Sequence, residues 1–421
     1  MPSERALVIT IQLDPRFSKG RAIWPLEDEA RELKELTTSS GCRIVGELSA
    51  RRHRPVAGTF LGRGKLDEIT QLATDLQSQV VIFNQELSSA QQRNIEDILR
   101  VKTIDRTQLI LDIFAQRARS QEGKVQVELA QLRYLLPRLI GKGVLLSRLG
   151  GGIGTRGPGE QKLEVDRRRI RARIARLGDE LHKLGARREA TRARRKETEV
   201  PVAALVGYTN AGKTTLLNRL TGASAVAENQ LFTTLDPLAR RLRLPSGDAA
   251  ILTDTVGFLH HLPHHLIEAF KATLEEARDA EVLLHVVDVS HPLAAEHAQA
   301  VGEVLAELAL ERKPMITVLN KQDRLDDPMR LQALERAYEP AVAISAKTGQ
   351  GIERLLELMG EHLGLLLIHP SSLRIPAERS DLVATIYQSA QVLGRQEADG
   401  VIQLTARLPA KLKTSLSEFI S

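Results

Sequence analysis

Several kinds of protein depend on residues that this sequence hardly contains. Among 421 residues there is one cysteine, Cys42, so no internal disulfide can form and a thiolate zinc site has no second sulfur. Aromatic residues are scarce, with eight Phe, four Tyr and one Trp, which argues against an RNA-binding sheet that stacks bases on aromatic rings. If the chain binds nucleic acid, charge must carry the contact. Apolar runs such as Leu365 to Ile368 fall far short of the ~20 residues of a membrane span, and the N-terminus lacks the basic-then-apolar order of a signal peptide. These absences favour a soluble, cytoplasmic protein. What remains is ordinary globular composition, 42% hydrophobic and 27% charged, at a length that suits several domains and excludes a single small module.

The charge is concentrated. Lys plus Arg exceed Asp plus Glu by six overall, yet Arg167 to Lys196 alone holds thirteen basic residues against Asp179, Glu180 and Glu189. The rest of the chain is therefore slightly acidic. A basic block on such a background suits contact with a polyanion, where phosphate neutralisation releases counterions. A merely solvated helical face is the competing reading.

The pattern divides the chain into four parts. Residues 1–118 alternate short apolar runs with amphipathic stretches, and the run Val80-Val81-Ile82-Phe83 is apolar throughout, as in a strand covered on both faces. A small parallel α/β domain is expected there. Over 119–198 strand signals vanish, and two helical stretches flank a glycine-rich break at 150–159, which predicts a basic helical hairpin with a compliant tip. Residues 199–367 show the clearest strand and helix alternation, and 368–421 suffice only for a small C-terminal domain.

The chemistry lies in the third part. An apolar strand, Val202 to Val206, runs into Gly207, Tyr208, Thr209, Asn210, Ala211, Gly212, Lys213, Thr214 and Thr215, after which a helix begins. This strand, loop and helix context is what a phosphate-binding loop requires. Backbone N–H groups would cradle the α and β phosphates at a helix N-terminus, Lys213 would reach the β and γ phosphates, and the Thr214 hydroxyl would ligate Mg²⁺. The loop alone is compatible with an adenine nucleotide. Further along, Ile251 to Asp254 is a strand ending in an acid, followed by Thr255-Val256-Gly257. Asp254 can hold Mg²⁺ through water, and the Gly257 amide can meet the γ-phosphate. The strand Met315 to Leu319 ends in Asn320-Lys321-Gln322-Asp323, and a carboxylate at Asp323 can accept from both N–H donors of guanine, a pair adenine does not offer. Ser345-Ala346-Lys347 follows another strand, which would place the Ala346 amide near guanine O6. Four motifs at strand carboxyl ends obey the rule for ligand sites in open α/β sheets.

Leu231-Phe232-Thr233-Thr234-Leu235-Asp236-Pro237 provides a switch threonine for Mg²⁺ and the γ-phosphate, either Thr233 or Thr234. Where Ras-like GTPases carry a water-orienting glutamine, this chain has Phe258, and a phenyl ring cannot orient water. Intrinsic hydrolysis should be slow, with the missing group supplied from elsewhere.

The third part resembles the G domain of translation-factor-type GTPases. LFTTLDPL from Leu231, DTVGF from Asp254, Leu262 to Leu274, Gly151 to Glu164 (GGIGTRGPGEQKLE) with Asp166-Arg167-Arg168-Arg169, LGRGKLDEI from Leu61, and the segment Asp105 to Leu139 are similar to the HflX family of GTPases over residues 1 to about 367. The resemblance favours Thr234 as the switch threonine and places Phe232 with the nucleotide contacts. It implies a P-loop GTPase fold, a mostly parallel sheet flanked by helices. With it come GTP and Mg²⁺ as ligands and Lys213, Thr234 and Gly257 as the residues at the reacting phosphate. It further implies binding to the 50S subunit and splitting of stalled or idle 70S ribosomes by a cytoplasmic monomer, peripheral membrane association remaining compatible. The hairpin would enter ribosomal RNA, with Arg156, Arg167, Arg168, Arg169, Arg171 and Arg173 as contacts. Asn210 stands where some GTPases lacking the glutamine hold K⁺. A ribosome-assembly GTPase and an ATP-driven RNA remodeller are the alternatives.

Three other signals carry less. Gly152-Ile153-Gly154-Thr155-Arg156-Gly157 matches a dinucleotide fingerprint, but no strand precedes it. His260, His261, His264 and His265 have helical metal spacing without a third ligand. Gly62-Arg63-Gly64-Lys65 reads better as a turn and helix start than as a second nucleotide site.

Overall fold

The computed structural model describes residues 3–17, 24–139, 158–197, 200–222, 231–232, 238–245, 247–259, 271–325, 327–363, 370–398, 400–408, 412 and 415–420. The chain forms two compact units. One comprises Met1–Glu197 with Val226–Pro237 and Val256–Glu275; the other comprises Thr198–Ala225, Leu238–Thr255 and Glu276–Ser421.

In the first unit, β1 (Arg5–Leu13), α1 (Leu26–Ser39), β2 (Arg43–Arg52), α2 (Arg63–Asp75), β3 (Val80–Phe83), α3 (Ser89–Leu99), β4 (Lys102–Asp105) and α4 (Arg106–Arg117) alternate in sequence. Their strands form a parallel sheet in the order β2-β1-β3-β4. Every residue of β3 is buried, as a strand covered on both faces requires. The edge strand β2 alternates exposed and half-buried residues. Leu7, Ile9, Ile11, Leu66, Ile69, Phe83 and Ile95 form the core on one side of the sheet. The helices start where sequence chemistry places caps: Ser88 and Gln91 make a reciprocal capping box for α3, and the Asp105 side chain accepts from Gln108 N–H to begin α4.

Asp105 does more than cap. Its carboxylate, fully buried, accepts from Tyr134 Oη at 2.7 Å, from Arg138 Nη2 at 3.2 Å and from Leu87 N–H at 3.1 Å. Tyr134 and Arg138 belong to α5 (Gln121–Arg138), so one buried acid fixes the hairpin's first helix to the sheet domain. Burial, then the Asp105 charge, pushes the Tyr134 hydroxyl pKa far up, so it remains a donor. The second hairpin helix, α6 (Pro158–Glu197), runs for 40 residues. Ile174, Leu177 and Leu181, at helical spacing, pack on Val125, Leu129 and Leu132 of α5. The glycine-rich tip at 150–157 lies outside the described residues.

The second unit holds β5 (Val202–Gly207), α7 (Lys213–Thr221), β6 (Leu238–Arg243), β7 (Ala249–Asp254), the end of α8 (Lys271–Asp279), β8 (Val282–Asp288), α9 (Ala294–Glu307), β9 (Met315–Asn320), α10 (Pro328–Ala337), β10 (Ala341–Ala343) and α11 (Ile352–His362). The six-stranded sheet has the order β10-β9-β8-β5-β7-β6, parallel except for the edge strand β6. This is the P-loop GTPase fold expected from the sequence. Beyond it, β11 (Pro370–Pro376), α12 (Ser380–Ser389), β12 (Gln391–Ala398) and β13 (Val401–Arg407) form a small antiparallel layer, order β11-β13-β12, with its own core of Leu373, Ile375, Val383, Ile386 and Leu404.

Candidate nucleotide-binding site

The site grows from the carboxyl ends of β5, β7, β9 and β10. Strand β5 is apolar because β7 and β8 flank it, and it delivers Gly207 into a tight approach to β8. A Cβ on Gly207 would come within 2.4 Å of the Val286 carbonyl oxygen. Gly212, with φ +96°, ends the loop, and a Cβ there would lie 2.3 Å from Asn320 Nδ2. Glycine is therefore needed at Gly212 both for the left-handed backbone and for space. Lys213 opens α7 immediately afterwards, which leaves the loop amides at a helix N-terminus suited to phosphate.

Lys213 is buried, and its ammonium donates to the carbonyl oxygens of Gly207 at 3.0 Å and Tyr208 at 2.8 Å. Burial lowers its pKa to about 8, Asp254 opposing and Lys321 adding to the shift. The next residue, Thr214, donates its hydroxyl to Asp254 Oδ2 at 2.8 Å, and both side chains are buried. One hydroxyl and one carboxylate side by side, with only oxygen donors, fit a hard cation such as Mg²⁺. Among the described residues no cluster of three His, Cys, Asp or Glu side chains offers a rival metal site; His260, His261, His264 and His265 lie outside them.

On the base side, Asn320 ties two loops together. Its Nδ2 donates to Ala211 O at 2.8 Å and its Oδ1 accepts the Ala346 N–H at 3.0 Å. The buried Asn320 amide takes the Ala346 N–H that was expected to serve guanine O6. Lys321 bridges Asn210 O at 2.8 Å and Asp288 Oδ2 at 2.7 Å, bracing the phosphate loop. Asp323 is exposed just beyond, on the short turn after β9. Ser345 Oγ accepts from Thr348 N–H at 3.1 Å, and Lys347 is exposed. Thr209 is buried, Thr215 half-buried on α7.

Several contributors were not visible in the motifs. Arg219 of α7 donates to the backbone oxygens of Ala346 and Lys347, clamping the 345–347 loop. The Tyr208 ring stacks on His297 of α9 at 3.9 Å and 5°, and His297 stacks on His291 at 4.4 Å. Burial, then His291, drives the His297 pKa down to about 3, so the His297 ring is uncharged near neutrality. Thr255 donates to Leu205 O at 2.6 Å, pinning β7 to β5.

Four family models match in order. The descriptions are GTP-binding GTPase N-terminal over 27–115, GTP-binding GTPase middle region over 117–195, 50S ribosome-binding GTPase over 202–321, and HflX C-terminal domain over 331–418. GTPase HflX of Caldanaerobacter subterraneus subsp. tengcongensis is 45% identical over 417 residues, 99% of this chain and 94% of that protein. The chain belongs to the HflX family of GTPases. GTPase HflX of Escherichia coli K12 is 43% identical over 386 residues, 91% of this chain and 90% of that protein. A crystal structure of a GTP-binding protein from Sulfolobus solfataricus in complex with GDP covers 86% of this chain and 98% of its own, at 24% identity and a TM-score of 0.46. As an HflX-family GTPase the protein binds GTP and hydrolyses it to GDP and phosphate.

The remaining expected residues that are described in this HflX-family chain belong to the first unit. Gly257 follows Val256 there, and Phe258 is buried, its phenyl ring offering no group to orient water. Phe232 is buried against Phe114, while Thr233, Thr234 and Arg156 fall outside the described residues. On α6, Arg168, Arg169, Arg171 and Arg176 are exposed. Arg173, expected with them, forms a two-pronged pair with Glu128 of α5, both bonds 2.7 Å. Its charge is thus partly spent within the hairpin. Arg167 pairs with Glu164 at 3.3 Å, and Arg169 lies 3.8 Å from Asp166; such exposed pairs open at little cost. No described helix is long and apolar enough to cross a membrane.

Proposed function

We propose that this GTPase binds the 50S subunit and splits 70S ribosomes, with GTP binding driving separation and hydrolysis driving release. The observation that carries this reading is the hairpin. One side of α6 packs on α5 through Ile174, Leu177 and Leu181, which leaves Arg168, Arg169, Arg171 and Arg176 as an exposed basic ridge. A long basic helix in the same chain as a nucleotide switch suits insertion among phosphates. The match of residues 202–321 to a 50S ribosome-binding GTPase model supports the choice of partner. Arg156 at the tip and Arg167 at the base of the ridge would add contacts, and Arg173 would orient the ridge through Glu128.

In this reading the phosphate loop, Gly207 to Thr215, wraps the β-phosphate. The Lys213 ammonium turns from two carbonyl oxygens to phosphate oxygens. Thr214, Asp254 and Thr234 would hold Mg²⁺, Asp254 through water, and the ion would supply positive charge to the phosphate oxygens. Asn210 would hold K⁺ if that ion takes part. Asp323 selects guanine by accepting from its two N–H donors, while Asn320, Lys321 and the Ser345 to Lys347 loop set the pocket wall. Gly257 and Thr234 report the γ-phosphate. The protein acts as a monomer, and the ribosome stimulates turnover because Phe258 cannot position water. Sedimentation of purified 70S ribosomes with the protein and each nucleotide tests this, and intact 70S particles under every nucleotide would refute it.

A further inference from the structure

The phosphate loop carries a buried hydroxyl that the protein itself leaves unmatched. Thr209 is 6% exposed, and its Oγ1 is buried with no hydrogen-bond partner. Lys213 and Thr214, buried in the same loop, are paired, the first with two carbonyl oxygens and the second with Asp254. Buried hydroxyls in folded proteins nearly always find a partner, because an unmet one bears the full cost of leaving water. This one also stands where a phosphate belongs. Gly207 O and Tyr208 O, just before Thr209 in the chain, both accept from the Lys213 ammonium. Covalent geometry keeps Thr209 Oγ1 within about 5 Å of Tyr208 O, hence within about 8 Å of that ammonium. One phosphoryl group bonded to both, at ~2.5–2.9 Å each, bridges such a gap.

We infer that Thr209 is a further γ-phosphate ligand, its hydroxyl donating to a γ-phosphate oxygen and so separating GTP from GDP. The loop amides at the N-terminus of α7 serve the α and β phosphates, which leaves the side chain of Thr209 for the third. GDP keeps the hydroxyl unmatched, whereas the γ-phosphate brings an anionic acceptor, and a hydrogen bond to a charged group is among the stronger ones. A threonine hydroxyl suits this because it rotates to its acceptor. The contact uses a residue of the phosphate loop itself, so it senses the third phosphate independently of Thr234 and Gly257.

The inference rests on the phosphate loop holding the nucleotide, which GDP affinity and Lys213→Met report separately, and it needs no ribosome. Affinities for GDP and for a non-hydrolysable GTP analogue are measured on the full-length protein for the parent, Thr209→Val, Thr209→Ser and Lys213→Met. Valine keeps the shape of threonine and removes the hydroxyl, while serine keeps the hydroxyl. Thr209→Val should lower the ratio of analogue to GDP affinity by about 10- to 100-fold, the range of a hydrogen bond to a charged group, with GDP affinity unchanged. Thr209→Ser should restore most of the ratio. The unfolding midpoint of nucleotide-free Thr209→Val should equal or exceed the parent's, because valine removes an unmatched buried hydroxyl; a hydroxyl with a structural bond would instead lose stability on removal. An unchanged ratio in Thr209→Val, an equal loss for GDP and the analogue, or a lowered midpoint would overturn the assignment. GDP binding at parent strength in Lys213→Met would refute the phosphate-loop reading beneath it.

Discussion

Raising the pH should weaken nucleotide binding through Lys213. In the folded protein its pKa is lowered from 10.5 to about 8, chiefly by burial. At 1.36 kcal/mol per unit this is on the order of 3 kcal/mol held against the ammonium. The folded value lies below the unfolded one, so between about pH 8 and 10.5 the unfolded chain binds more protons and folding stability rises with pH. Nucleotide phosphates reverse the preference by giving the ammonium an anionic partner. Binding must then take up a proton wherever free Lys213 is neutral, which is about half the molecules at pH 8 and about nine-tenths at pH 9. Affinity for GDP should fall about 10-fold between pH 7 and pH 9. Titration calorimetry at pH 8 in two buffers of different ionisation enthalpy should register uptake of about half a proton. Lys213→Met should bind weakly and lose both effects, which separates them from titration of the nucleotide itself. Equal affinity at pH 7 and pH 9 in the parent protein would show that the ammonium is not the group the phosphates meet.

Other outcomes follow from the same geometry. Asp323→Asn should lose GTP and gain xanthosine triphosphate, because a mismatched hydrogen-bonding pocket can cost factors of ~10⁴; unchanged GTP affinity would sink the assignment of Asp323. Asn320→Ala should cost roughly 1–3 kcal/mol of stability, since it leaves the buried Ala346 N–H without its acceptor, and a denaturation midpoint equal to the parent's would contradict this. Changing Arg168, Arg169, Arg171 and Arg176 to Glu should weaken ribosome binding and flatten its salt dependence by about one slope unit for each phosphate no longer neutralised, with nucleotide affinity of the free protein unaltered. Phe258→Gln should leave basal turnover slow, and 50S or 70S particles should raise the parent's rate by orders of magnitude; a fast basal rate indifferent to ribosomes would place the catalytic group within this chain.

Local pattern made much of this architecture legible. Val80 to Phe83 could only be a strand covered on both faces, and the phosphate loop, Asp254 and Asn320-Lys321-Gln322-Asp323 stood at strand ends because each follows an apolar run of strand length. Strand β6 escaped notice because Arg240, Arg241 and Arg243 hide its alternation on a sheet edge. The Lys321–Asp288 pair, the Arg219 clamp and the Tyr208–His297 stack join residues 33 to 128 positions apart, and no local periodicity records such pairings. The same holds for Arg173, whose partner Glu128 lies on the other helix of the hairpin, and for the Ala346 N–H, claimed by Asn320 once β9 and β10 become neighbours. The Phe232–Phe114 ring pair is the clearest case. LFTTL reads as a nucleotide switch, and nothing in those letters says that Phe232 faces Phe114.

The central claim is that GTP binding, rather than hydrolysis, does the work of separation. A state ordered by the γ-phosphate can act on a partner through differential binding alone. Sedimentation of 70S ribosomes with this protein and a non-hydrolysable GTP analogue tests that most directly. The account predicts separated subunits with the protein retained on the 50S peak, and little separation with GDP or with Thr234→Ala. Ribosomes that stay whole with the analogue yet separate with GTP would contradict it.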